Sequence, residues 1–518
     1  MYNSNNVCYN LKYTSNNIDF CSAVCYNIIE FGMEVLNMAI VSRENILSIL
    51  TSYNPWWQSG IVPKTFLKEF KRCGYYSCRK ALKSDIRRIV VMSGARRTGK
   101  TTIIYQTISD LLAEGVKPHT ILFFTFDHPV IRAAGIDQVL SIYKENISNE
   151  RHFYLFVDEI QFDRNWTHYL KMAYDMNPEM RAIATGSASA AVEEGVRESG
   201  AGRWTVIRIP TLSFYEYCQI KGVEMNAECE DVFKIHTLSQ QEQTRLIMGL
   251  SDLQVHLMRY LQLGGFPELV NTEDTVYAQS LIREDVMDRA IKHDLPKLHE
   301  IRSIDELEKV FIYLCYNSSS VINIEAMCKE FEGVSKPTIE KYIQYLADAN
   351  LINISEQLNI QGKKVLKRKN KIYISDSGIR GAVVLDADIY TKATELGYAL
   401  ETTVFKHVKD YFASINKLYQ VGYVRDGSGA EIDVAVQYAG QPIQYIEAKM
   451  RNNSTIKDDN GIVIYGMADI PGYVISKNAT DFGLSDRKNT QLYRIPAFAF
   501  LYLIGKTQKT NAVHALNG

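Results

Sequence analysis

Three groups of residues in this 518-residue chain have the types and spacing to do chemistry. The first is Gly94-Ala95-Arg96-Arg97-Thr98-Gly99-Lys100-Thr101-Thr102. Its glycines let the backbone curl, a lysine stands ready for anionic oxygens, and a hydroxyl follows. The spacing G-x-x-x-x-G-K-[ST] is that of a loop whose amides surround phosphates. On this reading residues 94–102 hold ATP, Lys100 reaches the β- and γ-phosphate oxygens, and Thr101 ligates Mg²⁺. The second group is Asp158-Glu159, closing the apolar run "FYLFVDEIQ" (153–161). Asp158 suits the Mg²⁺ shell, and Glu159 would orient or deprotonate the attacking water. The third is spread over the last quarter: Glu401, Asp433, Glu447 and Lys449. Carboxylate oxygens suit a hard divalent cation. A metal held by Glu401, Asp433 and Glu447 would polarise a phosphate and acidify a bound water, with Lys449 orienting that water.

These groups need rigid elements behind them. "RRIVVMSG" (87–94) reads as a buried parallel strand, and 101–115 as the helix after the loop, stopped by Gly115. "TILFFTFDHP" (120–129) and "MRAIATGSAS" (180–189) read as further strands of the same sheet. Ligands of open parallel sheets sit at the carboxyl ends of strands. There, Ser187 either senses the γ-phosphate, or Ser187 or Ser189 caps the next helix. Arg203, in "GRWTVIRIPTLSFYEY" (202–217), is either an arginine finger, in cis or from a neighbouring copy, or a solvated charge. For the third group the pattern predicts a helix over 394–412 carrying Glu401, then strands over 430–440 and 441–450. A turn at Gly440 sets Asp433 beside Glu447, and the two-residue period puts Glu447 and Lys449 on one face.

The succession "SGARRTGKTT", "YLFVDEIQ", "ATGSAS", "PTLSFYEY" and "YLQLGGFPEL" (260–269) resembles the prokaryotic AAA-type ATP-binding proteins with an AAA_14-like core and a DUF4143 C-terminal region. "NPWW" (54–57) is similar to their lead-in, and the resemblance spans about residues 40–505. It implies an AAA-like α/β core, a helical lid, a winged-helix module and a nuclease-like C-terminal fold. The order helix-Glu, strand-Asp, strand E-x-K resembles the PD-(D/E)xK nuclease superfamily, although Asp433 stands in "EID". In this group the nuclease-like domain is either active or degenerate.

The middle of the chain connects these sites. Residues 216 to about 300 have a helical apolar period, broken by a turn at Gly264-Gly265-Pro267. The segment 281–298 carries Asp285, Asp288, His293 and Asp294, read as a solvated helix face rather than a metal set. Residues 304–375 have a winged-helix rhythm. Their predicted hairpin tip, "QGKKVLKRKNK" (361–371), holds Lys363, Lys364, Lys367, Arg368, Lys369 and Lys371. Such a tip suits DNA phosphates without reading sequence, or else a solvated loop or a protein contact.

Composition sets outer limits. With 58 Lys+Arg against 59 Asp+Glu, any basic surface is local. The apolar run "IPAFAFLYLIG" (495–505) is too short to span a membrane. Nine cysteines without metal-ligand spacing suit a reducing cytoplasm. The opening stretch is rich in Asn, Tyr and Cys, which suggests a start of translation near Met38 or a poorly ordered leader. The expected architecture is a multidomain α/β chain. It comprises a leader (1–37), a helical lead-in (38–85), a P-loop AAA-like parallel sheet (86–215), a helical lid (216–300), a winged-helix module (301–378) and an α/β restriction-endonuclease-like domain (379–518). The expected activity is a Mg²⁺-dependent ATPase, either acting on DNA, with metal-dependent cleavage, or switching protein partners. A homo-oligomer is compatible with both.

Overall fold

The computed structural model describes residues 42–163, 165–187, 202–299, 301–358, 369–384, 391–415, 418–449 and 456–517. The expected leader lies outside these residues, as do Ser189, Lys363, Lys364, Lys367 and Arg368 of the calls above.

Five short runs of branched and aromatic residues form strands β1 (Ile89–Ser93), β2 (Ile121–Thr125), β3 (Tyr154–Asp158), β4 (Arg181–Gly186) and β5 (Trp204–Arg208). All pair in parallel, in the order β2-β3-β4-β1-β5. Strand β1 is buried along its whole length, as a parallel sheet covered on both faces requires. Strand β4 lies between β1 and β3. The loop after β1 and the acidic pair after β3 therefore face each other across the tip of β4.

Strand β2 is an edge, and "NPWW" covers it. Asn54 Nδ2 donates to the Phe123 carbonyl (2.7 Å), and Asn54 Oδ1 accepts from the Phe123 amide (2.7 Å). The indole N–H groups of Trp56 and Trp57 both donate to the Ile121 carbonyl, at 3.1 and 2.8 Å. Side chains thus take the bonds that a further strand would take. The preceding helix, Arg43–Tyr53, is capped by Ser42, whose hydroxyl accepts from the Asn45 amide.

The middle of the chain contains helices Ile304–Tyr316, Ile324–Glu330 and Lys336–Asp348. With them is a small antiparallel sheet, β6 (Ser320–Val321), β7 (Ile352–Glu356) and β8 (Asn370–Ile374), in the order β6-β8-β7. The last part holds a six-stranded mixed sheet: β9 (Tyr419–Arg425), β10 (Glu431–Tyr438), β11 (Gln441–Lys449), β12 (Gly472–Ser476), β13 (Gly483–Arg487) and β14 (Thr490–Pro496). Its order is β13-β14-β12-β11-β10-β9, with β11, β12 and β14 parallel. The two sheets meet at the end of β7, where Gln357 bridges Tyr423 and the Leu358 amide donates to the Tyr423 carbonyl (2.8 Å). The run read as "strand or helix" at 495–505 is the end of β14 followed by the buried first half of the helix Ala497–Asn517. Among the described residues no helix is long and apolar enough to cross a membrane.

The apolar faces redraw the expected boundaries. Leu212–Leu261 shares its core with Leu396–Ile504, whereas Leu263–Leu295 shares one with Leu307–Val383. The stretch 216–300 is therefore split at the Gly264-Gly265 turn instead of forming one lid. The expected boundary at 378 falls inside the helix Ser377–Val384.

One buried junction holds that turn in place. Gly264 has φ +74°, and a Cβ there would lie 1.7 Å from Asp376 Oδ1. Asp376 accepts from the Gly265 amide (3.1 Å), the Gly378 amide (3.0 Å), Thr211 Oγ1 (2.5 Å) and Lys406 Nζ (3.2 Å). Lys406 also donates to the Leu212 carbonyl (2.9 Å). Four segments far apart in sequence meet on this carboxylate. The chain beyond the turn then runs close to the phosphate loop, with Pro267 Cγ 3.9 Å from where a Gly99 Cβ would sit.

Candidate functional site

The loop after β1 is tightly held. A Cβ on Gly94 would fall 2.1 Å from the Ile209 carbonyl oxygen, so only glycine fits. Arg97 (φ 62°) and Gly99 (φ 86°) adopt left-handed conformations that turn the backbone into the helix Lys100–Ala113. No side chain caps that helix, which leaves its first amides open toward an anion. Lys100 Nζ donates to the carbonyls of Gly94 (2.8 Å) and Ala95 (2.9 Å). Burial holds this ammonium below the ordinary lysine value, against the pull of Glu159 and Asp158.

Across β4, Thr101 Oγ1 donates to Asp158 Oδ2 at 2.8 Å. Thr185 Oγ1 donates to the other oxygen of Asp158. Burial, then the neighbouring Glu159 charge, push the Asp158 carboxyl up to about 6, with the two hydroxyls and Lys100 opposing. A hydroxyl and a carboxylate in contact are hard oxygen donors, and the surplus negative charge fits a divalent cation. Thr101 and Asp158 would hold Mg²⁺, which when bound neutralises phosphate charge.

Glu159 leaves the strand in a left-handed conformation, φ 54°. That turn aims its carboxylate away from the β3 ladder. Its amide donates to Thr185 Oγ1 (3.2 Å), and Gln161 Nε2 donates to its carboxylate. The same Gln161 nitrogen donates to Ser187 Oγ at 2.8 Å. Ser187 therefore engages Gln161, and Gln161 joins the tips of β3 and β4. Nothing in the sequence pattern singled out Gln161.

The acids of 281–298 are not the solvated face expected of them. Asp294 is 7% exposed and takes a two-pronged bond from Arg96, Nε at 2.6 Å and Nη2 at 2.9 Å. Arg97 pairs with Asp285 (2.7 Å) and with Glu268. Wide helical turns over Ile282–Asp288 and Ala290–Asp294 lay these acids along the phosphate loop. Asp288 keeps a helix-surface role, paired with Lys292 (3.2 Å). Arg203 stands apart from this cluster. It precedes the amino end of β5, opposite the loop, and its Nε bonds Asp175 (3.1 Å). The reading as a finger in cis is corrected by that placement.

Arg72 was not foreseen. Its guanidinium donates to the Thr98 carbonyl (2.5 Å), the Pro210 carbonyl (2.9 Å) and Glu216 Oε2 (2.8 Å). The signal within reach of sequence was Ser213-x-x-Glu216, a capping box that fixes Glu216 at a helix start. Burial alone would raise the Glu216 carboxyl. Arg72 and the amides of Cys73 and Ser213 overcome that and hold it at about 2. Its stabilising contribution is complete above pH 4.5 and is lost as the pH falls through about 2. Arg72→Ala should remove that contribution at neutral pH and cost about 3–5 kcal/mol, because it strands a buried carboxylate. Denaturant unfolding of both proteins at pH 7 checks this; a loss below about 1 kcal/mol contradicts it.

The C-terminal group does come together. Glu401 lies on the helix Ala393–Ile415, Asp433 on β10, and Glu447 and Lys449 on β11. Ala439 (φ 50°) and Gly440 (φ 79°) make the tight turn that joins the two strands. The Asp433 amide donates to Glu447 Oε2 (3.4 Å), and the Ala448 amide to Asp433 Oδ2 (2.9 Å). Lys449 bonds Glu447, and Asn460 Nδ2 donates to Glu447 Oε1 (3.0 Å). Burial, then Asp433, push both Glu401 and Glu447 up to about 7. The unforeseen member is Lys371, expected at the basic hairpin tip but only 2% exposed here. Its Nζ bonds Glu401 (2.6 Å) and Glu431 (2.7 Å) and lies 3.9 Å from Asp433. Among the described residues no group of three or more His, Cys, Asp or Glu is arranged to hold a metal ion. With an ammonium between the carboxylates, the set does not fit the divalent cation expected there.

Comparison with known proteins matches three successive segments of the chain. Residues 86–218 match the model of an AAA domain. Residues 254–389 and 396–498 match two domains of unknown function, DUF8612 and DUF4143. An uncharacterized protein of Haemophilus influenzae is 26% identical over 340 residues, 64% of this chain and 77% of its own length. One from Methanocaldococcus jannaschii is 25% identical over 293 residues, 56% of this chain and 60% of its own. Among solved structures, a Walker-type ATPase of Pyrococcus abyssi aligns over 60% of this chain and 94% of its own, with 12% identity and a TM-score of 0.34. The Aeropyrum pernix ORC1 protein, solved in complex with DNA, aligns over 64% and 96%, with 12% identity and a TM-score of 0.29. On its family match and its phosphate loop, the segment 86–218 is an AAA-type P-loop ATPase core, and two regions shared with uncharacterized families follow it.

Proposed function

We propose that the chain binds and hydrolyses ATP with Mg²⁺ and uses the nucleotide state to reposition the segments beyond the core, with DNA as the partner. The observation that carries the ATPase reading is the contact of Thr101 with Asp158 across β4, with Glu159 turned out beside it. In this reading residues 94–102 cradle the phosphates, and Lys100 trades loop carbonyls for phosphate oxygens. Ser187 and Gln161 set the position of Glu159. Arg203, at the amino end of β5, would serve a neighbouring copy. The six described cysteines are free, which suits a reducing cytoplasm.

The element order helix, β6, helix, helix, β7, β8 supports a winged-helix reading of 301–378. The basic run between β7 and β8 would contact DNA phosphates without base specificity. Calorimetry with ATP·Mg²⁺ tests the core of the proposal. Lys100→Ala should weaken binding about 100-fold or more, since two charge-assisted bonds to phosphate are worth about 1.5–3 kcal/mol each. A wild-type chain that gives no binding heat sinks the proposal. For DNA, replacing Lys363, Lys364, Lys367 and Arg368 by glutamine should flatten the salt dependence of binding by about 3–4 in slope.

A second reading, a switch acting on protein partners through an inactive nuclease-like domain, is favoured by one observation. Lys371 and Lys449 already engage the carboxylates that cleavage would use. Cleavage at Glu401, Asp433 and Glu447 would require Lys371 to leave.

A further inference from the structure

Lys371 belongs to β8, the central strand of the small sheet. Its backbone is paired on both sides, with Val321 of β6 and Ser355 of β7. The side chain crosses into the C-terminal module and is buried to its tip. There the ammonium meets oxygens of three carboxylates on two different elements: Glu401 on the helix Ala393–Ile415, and Glu431 and Asp433 on β10. Tyr373, two residues along β8, points the same way. Its hydroxyl donates to Glu401 Oε1 (3.0 Å) and to the Asp433 carbonyl (3.3 Å).

Other oxygens of the cluster have partners too. Asp433 Oδ2 accepts the Ala448 amide, and Glu447 Oε1 accepts Lys449 and Asn460. A small divalent ion needs several such oxygens at about 2.0–2.6 Å, converging on one point. Between Glu401 and Asp433 lies instead the Lys371 ammonium, 2.6 Å from Glu401 Oε1 and 3.9 Å from Asp433 Oδ1. A point charge with three donors, delivered on a long stem from a pinned strand, satisfies the same carboxylates with no metal.

We propose that Lys371 is the resident cation of this carboxylate cluster: its ammonium stands in place of a divalent metal and fastens the middle module to the C-terminal one. The cluster is then a joint between modules, and the resemblance to a metal nuclease survives in the carboxylates alone. The proposal does not depend on the ATPase reading.

The test is Mn²⁺ titration of the nucleotide-free full chain, followed by electron paramagnetic resonance. Four proteins are compared: wild type, Asp433→Asn, Lys371→Ala and the double variant. Any Mn²⁺ held at Asp158 is common to all four and cancels. The expected result is identical Mn²⁺ uptake by wild type and Asp433→Asn. Lys371→Ala should gain a single further Mn²⁺, which the double variant loses. A Mn²⁺ bound by wild type and lost in Asp433→Asn overturns the proposal. A folded Lys371→Ala that gains no Mn²⁺ overturns it as well, because the vacated carboxylates would then not be a cation site. Should Lys371→Ala fail to fold, as circular dichroism would reveal, the wild-type and Asp433→Asn pair still decides.

Discussion

Glu159→Gln should leave ATP binding intact and lower turnover about 10²–10⁴-fold, the range lost with a positioned general base. The substitution keeps the size of the side chain and its bond with Gln161, and it removes only the negative charge. Asp158 and Thr101 remain in contact, so phosphate and Mg²⁺ affinity should hold. Two measurements check this: calorimetry of ATP·Mg²⁺ binding and steady-state phosphate release. Unchanged phosphate release would show that Glu159 does not activate water. A parallel loss of binding would show that its main role is to shape the loop.

Asp376→Ala should destabilise the chain by about 3–5 kcal/mol, the cost of stranding a buried ammonium. Lys406 loses its counter-charge, and Thr211 and the amides of Gly265 and Gly378 lose an acceptor together. The Gly264-Gly265 turn would loosen, and with it the path of the chain past the phosphate loop. Denaturant unfolding measures the loss, and ATP affinity should fall alongside it. A stability change under about 1 kcal/mol would mean that the junction is carried by apolar packing around it.

What could be read from sequence divides along a physical line. The P-loop, β1, the helix after it and Asp158 with Glu159 are local patterns, in which neighbours along the chain fix both type and geometry. The carboxylates of β10 and β11 were legible for the same reason, since a two-residue period and one tight turn set them side by side. Long-range partners were not legible. Arg96 meets Asp294 across 198 residues, and Arg72 meets Glu216 across 144. No periodicity links such pairs; they follow from how the modules dock. Lys371 shows the hazard most clearly. Within "KKVLKRKNK" it looks like one more exposed base, but its place on β8 turns it inward, where it is 2% exposed.

The cover on β2 sets a limit on how this protein can be divided. The AAA match begins at residue 86, yet the outermost strand of that core draws its missing partners from Asn54, Trp56 and Trp57. A fragment cut at the family boundary would carry an open hydrogen-bonding rim flanked by Phe123 and Phe124, the kind of surface on which chains stack into aggregates. The smallest self-sufficient form of this core therefore starts before the tryptophan pair, and the lead-in is as much a part of the parallel sheet as any strand in it.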